Sequence, residues 1–160
     1  MWRYFLFTIL LNAMSCNASK QSVSQEQLQQ ISFSNLENLM EKESRPIAVF
    51  LHADWCKFCR NMEQTTLRKS TVIELLNENY YYLPFDGEQK EVLTFRGHKF
   101  HYQPNGRNSG THELAASLGT IDGVLAYPTF VILNEAYEIT FQYSGFLTEA
   151  ELKRVLRAQP

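Results

Sequence analysis

An α/β sandwich, with helices packed on a central mixed sheet, is the fold class this sequence predicts. Three observations carry that prediction. The runs Ile47-Ala48-Val49-Phe50-Leu51 and Thr129-Phe130-Val131-Ile132-Leu133 are almost unbroken apolar segments of strand length, the pattern of strands covered on both faces. Segments with helical spacing alternate with them along the chain. Behind the second run, residues 138–143 alternate as an antiparallel partner would, and Thr148-Glu149-Ala150-Glu151 then opens a last helix with a capping box. With 160 residues, 44% of them hydrophobic, there is chain for one domain and its core.

Residues 1–15 have the pattern of an export signal. Arg3 and the free amine give a positive start, residues 4–11 are almost all apolar, and Ala13-Met14-Ser15 offers small residues near a cleavage point. The apolar run is far shorter than the roughly 20 residues a membrane-spanning helix needs. Cys16 follows at once, so the segment resembles a bacterial lipoprotein signal, whose cysteine becomes the lipidated first residue and anchors the protein to a membrane. It departs from that pattern at Ala13, where a larger aliphatic residue is usual. Plain cleavage and a retained segment are the other two readings. Residues 16–31, rich in Ser and Gln, read as a tether ending in a frayed helical turn, or as a disordered terminus. The domain proper is expected over residues 32–160.

Ser34-Asn35-Leu36-Glu37 has the form of a capping box, and Leu36, Leu39 and Met40 make one apolar stripe, so a first helix is predicted ahead of Pro46. The strand 47–51 comes next. A helix then starts close to Cys56 and runs toward Leu67, and a further helical piece spans 72–79 with Ser70 or Thr71 as its cap. Residues 80–85 return to strand character, with the rings of Tyr80-Tyr81-Tyr82 expected alternately inside and outside the core. Residues 86–109 interrupt this rhythm as an insertion. Within it, 92–95 and 99–102 flank Gly97-His98 as a hairpin, and Pro104-Asn105-Gly106 is a turn. A short helix over 111–118, ended by Gly119, leads into the strand 129–133.

Composition removes several functional classes. The formal charge is -2 and no block of like charges occurs, so the basic footprint of a nucleic-acid partner is absent. Three cysteines are too few for a disulfide-dense scaffold. His98, His101 and His112 lie in or beside the insertion without a carboxylate at clear ligand spacing, and are expected as surface residues.

Cys56-Lys57-Phe58-Cys59 sits just after a buried strand and at the start of a helix. There, unpaired amide groups and the positive end of the helix dipole stabilise a thiolate at Cys56. Such settings lower a cysteine from about 8.5 to between about 3.5 and 7.5. Lys57 adds a cation, and Cys59, one turn further, is placed to close a disulfide and should be the more buried of the two. A redox-active pair, a static disulfide and half of a zinc site are the three readings. The last lacks ligands: a closed zinc site needs four, and His52 is the one nearby candidate.

The stretch Phe50-Leu51-His52-Ala53-Asp54-Trp55-Cys56-Lys57-Phe58-Cys59, with Tyr127-Pro128-Thr129 downstream, resembles the thioredoxin superfamily. The similarity covers most of residues 34–158 and is strongest to exported bacterial thioredoxin-like proteins and the C-terminal thiol-donor domain of periplasmic thiol-disulfide interchange proteins. It implies a three-layer sandwich with a strand begun by a cis-proline, Pro128; the extra length of the 86–109 insertion ahead of that strand departs from the family pattern. It further implies that Tyr127 offers backbone to a substrate strand, that Trp55 covers the rim, and that Lys57 and Phe58 join the substrate-contacting set. The implied activity is thiol-disulfide exchange on protein disulfides outside the cytoplasm. A separate thiol donor or acceptor serves as redox partner, no cofactor is needed, and the reductase direction is favoured. A binding module without turnover and a metal-handling thiol protein are the alternatives. One departure bears on mechanism: Phe50 stands where thioredoxins bury an acid six residues before the first cysteine. Glu63, four residues after Cys59, matches an acid of the interchange-protein domain and either takes over proton transfer or is an ordinary solvated or ion-paired Glu.

Overall fold

The computed structural model describes residues 27–159. The expected leader, Cys16 and most of the expected tether lie outside the described residues. Strands β1 (Ile47–His52), β2 (Tyr81–Asp86), β9 (Thr129–Leu133) and β10 (Ile139–Ser144) form one sheet in the order β10-β9-β1-β2. β1 runs parallel to β2 and antiparallel to β9, which pairs antiparallel with β10, so the sheet is mixed.

Both faces are covered, which explains why the apolar runs do not alternate. Ala48, Phe50, Tyr82, Phe130 and Ile132 point to one side. They pack there with Met62 of α2 (Lys57–Gln64), Val72 and Leu76 of α3 (Ser70–Asn79), and Leu152 and Leu156 of α5 (Glu149–Ala158). Ile47, Val49, Leu51, Leu83 and Val131 point to the other, against Leu36 of α1 (Phe33–Lys42) and Leu114 of α4 (Glu113–Gly119). Helices, sheet and helices make the three layers. Burying each large side chain contributes about 1.5–3 kcal/mol.

Local signals mislead where a distant group competes. The expected capping box at Ser34 does not form: α1 starts from Ser32, whose side chain makes no cap bond, and the Glu37 carboxylate instead accepts the Arg96 amide. Neither Ser70 nor Thr71 caps α3, which begins after Lys69; the Thr71 hydroxyl donates to Glu149 Oε1 at 2.8 Å and ties α3 to α5. The helix expected to reach Leu67 ends at Gln64. The Thr65 hydroxyl donates back to the Asn61 carbonyl (2.6 Å), and a 3-10 turn, Thr66–Arg68, is fixed by a Thr66 hydroxyl bond to the Leu147 carbonyl (2.7 Å). The capping box at Thr148 is present.

Between β2 and α4 the chain makes two hairpins rather than one: β3 (Leu93–Phe95) with β4 (His98–Phe100), and β5 (Tyr102–Pro104) with β6 (Gly110–His112). The first turn is Arg96-Gly97, one residue earlier than expected, and both residues have positive φ (52° and 74°), as a type I′ turn requires. Pro104 ends a strand instead of opening a turn. A third hairpin, β7 (Thr120–Ile121) with β8 (Val124–Leu125), turns on Asp122-Gly123. All three rings of Tyr80-Tyr81-Tyr82 are buried, because each face of the sheet has its own helical layer. Residues 27–31 contain no helical turn. They lie along the outer edge of β2: the Ile31 amide donates to the Tyr82 carbonyl (2.9 Å), and Asn77 of α3 bonds the Gln29 amide and the Gln27 carbonyl (2.9 and 3.0 Å).

Candidate active site

β1 is buried along its length and delivers the chain to the mouth of α2. The Cys56 amide donates to the Ala53 carbonyl (2.9 Å), a turn that makes Cys56 the N-cap of α2. Its Sγ accepts the Cys59 amide at 3.0 Å, so the sulfur itself does the capping. That position carries free amide donors and the positive dipole end, and both favour an anionic sulfur over a neutral one. Cys56 and Cys59 are disulfide-bonded, with Sγ atoms 2.06 Å and Cα atoms 5.3 Å apart. Cys56 is 3% exposed and Cys59 1%, a much smaller contrast than the sequence suggests. The exposed groups are their neighbours Trp55 (63%) and Phe58 (66%), with Lys57 also on the surface. The Arg60 guanidinium donates to the Asp54 carbonyl, bracing the turn into the helix.

The Tyr127–Pro128 peptide bond is cis. Bonds on either side hold this loop: the Thr129 hydroxyl donates to the Ala126 carbonyl (2.6 Å), and the Gly145 amide to the Pro128 carbonyl (2.8 Å). The Tyr127 ring meets Trp55 edge to face with centroids 6.0 Å apart. Its hydroxyl is buried with no hydrogen-bond partner among the described residues. Burial first, and then the charges of Glu88 and Asp86, push that phenol up to about 12. Trp55 Nε1 donates to Glu88 Oε1 at 3.0 Å, a partner the sequence reading missed. Nothing in residue spacing signals a contact across 33 positions.

Glu63 is half-buried on α2, and its carboxylate makes no hydrogen bond or ion pair with a described residue. It lines an open cavity of about 720 Å³ together with His52, Arg68, Tyr82, Pro84 and residues 27, 28 and 30. Burial, and after it the Glu63 charge, drive the Tyr82 phenol far above its ordinary range. His52 stacks on Phe50 with centroids 5.9 Å apart, as a replacement aromatic would. Phe50 is fully buried and packs in the same core as Cys59 and Met62, so apolar carbon occupies the place where an acid would sit.

His98 and His101 are exposed as expected, but His112 is fully buried. It caps α4: Nδ1 accepts the Leu114 amide, which leaves Nε2–H to donate to the Glu91 carbonyl, each at 3.2 Å. Its place directly before Glu113, a first-turn acid, is the signal that reading overlooked. Among the described residues no group of three His, Cys, Asp or Glu side chains could hold a metal ion. No described helix is long and apolar enough to cross a membrane.

The family model for the thioredoxin-like domain matches residues 33–160. The chain belongs to that family. Three solved structures illustrate how far the thioredoxin-like fold carries. A DsbH oxidoreductase is 18% identical, with 87% of this chain and 91% of that one covered at a TM-score of 0.59. A thioredoxin from Thermus thermophilus is 22% identical, with 81% and 85% covered and a TM-score of 0.57. The oxidised C-terminal domain of DsbD from Neisseria meningitidis is 14% identical, with 79% and 95% covered and a TM-score of 0.51. At these identities the likeness is one of fold. No curated protein matches the chain. In this thioredoxin-like chain, a Cys-x-x-Cys pair at bonding distance supports thiol-disulfide chemistry.

Proposed function

We propose that this thioredoxin-like protein is a thiol-disulfide oxidoreductase that reduces protein disulfides outside the cytoplasm. The observation that carries the reading is the placement of Cys56 Sγ as the acceptor at the mouth of α2. In the dithiol form, the Cys56 thiolate attacks one sulfur of a substrate disulfide. The substrate S–S bond breaks, one substrate sulfur leaves as a thiolate and takes a proton from solvent, and a mixed disulfide joins Cys56 to the other. Cys59 then gives up its proton and attacks Cys56 Sγ, expelling the second substrate thiolate and forming the 56–59 disulfide. Two electrons have passed to the substrate, and an external thiol donor restores the dithiol. Glu63 takes the Cys59 proton: its carboxylate has no partner among the described residues, lines the cavity beside α2 and follows Cys59 by one turn. Trp55, Phe58 and Lys57 flank the substrate, and the backbone of Tyr127 beside Pro128 pairs with its extended chain.

The location rests on the leader-like residues 1–15, with membrane anchoring through Cys16, and draws support from the likeness to Dsb structures. Insulin reduction with a dithiol donor tests the activity: Cys56→Ser should abolish it, and equal rates would leave only a binding module. Cys59→Ser should freeze mixed disulfides on Cys56. The reduction potential of the pair tests direction: a value near about -270 mV supports the reductase, whereas one near about -120 mV makes the protein an oxidant.

A further inference from the structure

We infer that the segment between β2 and α4 acts on the redox site through one side chain, Glu88, which is a positioning residue for Trp55. The inference rests on the proposed reading of Cys56 and Cys59 and deepens it. An indole that is 63% exposed has little packing to hold it. Two contacts do so here: Nε1 donates to Glu88 Oε1 (3.0 Å), and the ring meets the edge of Tyr127 (6.0 Å).

What stands behind Glu88 is a hydrogen-bonded turn. The Glu88 amide donates to Asp86 Oδ1 (3.0 Å) and the Gln89 amide to the Asp86 carbonyl (3.2 Å), closing a tight turn. Gly87 bonds on both sides, its amide to the His52 carbonyl of β1 and its carbonyl to the His112 amide at the start of α4, each at 2.8 Å. A Cβ at Gly87 would lie 2.0 Å from the Tyr127 hydroxyl oxygen, so only glycine lets that ring settle against the turn. The turn, the Tyr127 ring and the indole thus form one wall beside Cys56. A fixed indole presents a ready shelf to a polypeptide, whose side chains lie along the wall, and matters less to a small disulfide that needs only the sulfur.

The test uses the full chain with Trp2→Phe, which leaves Trp55 as the one tryptophan. In that background Glu88→Ala should raise the insulin KM roughly three- to tenfold, the scale of the net contribution of one ordinary hydrogen bond, with kcat moved by less than about twofold. The rise should exceed that for glutathione disulfide, and Trp55 fluorescence anisotropy should fall. Glu88→Gln, which keeps an acceptor oxygen, should recover most of the KM. In a Trp55→Phe background, Glu88→Ala should add nothing. An unchanged insulin KM, equal losses on both disulfides, failure of the Gln variant to recover, or additive effects with Trp55→Phe would each overturn the inference. If the parent reduces no disulfide at all, the functional reading falls instead, and the anisotropy comparison still decides whether Glu88 fixes Trp55.

Discussion

Phe50→Ala probes the claim that apolar core fills the place on β1 where thioredoxins bury an acid. Phe50 is fully buried on β1, opposite Pro84 and Phe130, packs with Cys59, Met62 and Tyr82, and stacks on His52. Truncation of such a ring costs about 3–5 kcal/mol, since the transfer term and the residual cavity add. The lost aromatic stacking places this site in the upper half of that range. Against a typical domain stability of about 5–15 kcal/mol, the variant folds but marginally. With a urea slope near 2 kcal/mol/M, the midpoint should fall by about 2 M at unchanged slope. Urea unfolding of the oxidised protein at neutral pH, followed by circular dichroism, measures this. Phe50→Asp must bury a carboxylate in the same space and should be less stable still. A midpoint loss under about 0.5 M for the alanine variant, or an aspartate variant as stable as the alanine one, would refute the reasoning.

Further outcomes follow from other parts of the structure. Thr148→Ala removes the capping box of α5 and should cost about 1 kcal/mol, lowering Tm by a few degrees in a calorimetric scan. His112 is held below its ordinary range chiefly by burial, although the Glu91 carbonyl bond and the Glu113 charge oppose the shift. The unfolded chain therefore binds this proton first. Stability from this group is complete above about pH 6.5, the unfolded value, and is lost as pH falls below it. Urea midpoints at pH 7.5 and 5.5 should diverge more for the wild type than for His112→Asn, which can cap but cannot titrate; identical divergence would remove His112 as the cause. Gly87→Ala should force Tyr127 aside and destabilise by about 1–3 kcal/mol, with a shifted Trp55 emission. Under the proposed mechanism Glu63→Gln should slow release of the mixed disulfide in single-turnover experiments while the first attack by Cys56 keeps its rate.

Legibility followed the range of the interactions. The strands could be read because burial on both faces writes itself as the continuous apolar runs 47–51 and 129–133. The capping box at Thr148 was legible because both of its bonds span three residues. The same reasoning failed at Ser34 and Thr71, where Arg96 and Glu149, far along the chain, take the side chains that local spacing assigns to caps. Cys56 and Cys59 belong to one helical turn and announced themselves, whereas the cis bond before Pro128 entered only through family resemblance. Burial of His112 is created by Phe85 and Glu91, which no periodicity connects to it. Asp122-Gly123 was an available hairpin signal that went unread.

Residues 27–31, laid along the rim of β2, bear on the company such a protein keeps. Polypeptides that bring faulty disulfides are often partly unravelled, and unravelled chains tend to zip onto any bare strand. Here that margin is partly taken on one side by residues 27–31, and on the other the register of β10 against β9 shifts between Ile139 and Phe141. Under the proposed function, an unravelled substrate would then find its strand-like pairing at Tyr127 beside the sulfurs and not along the rims of the sheet.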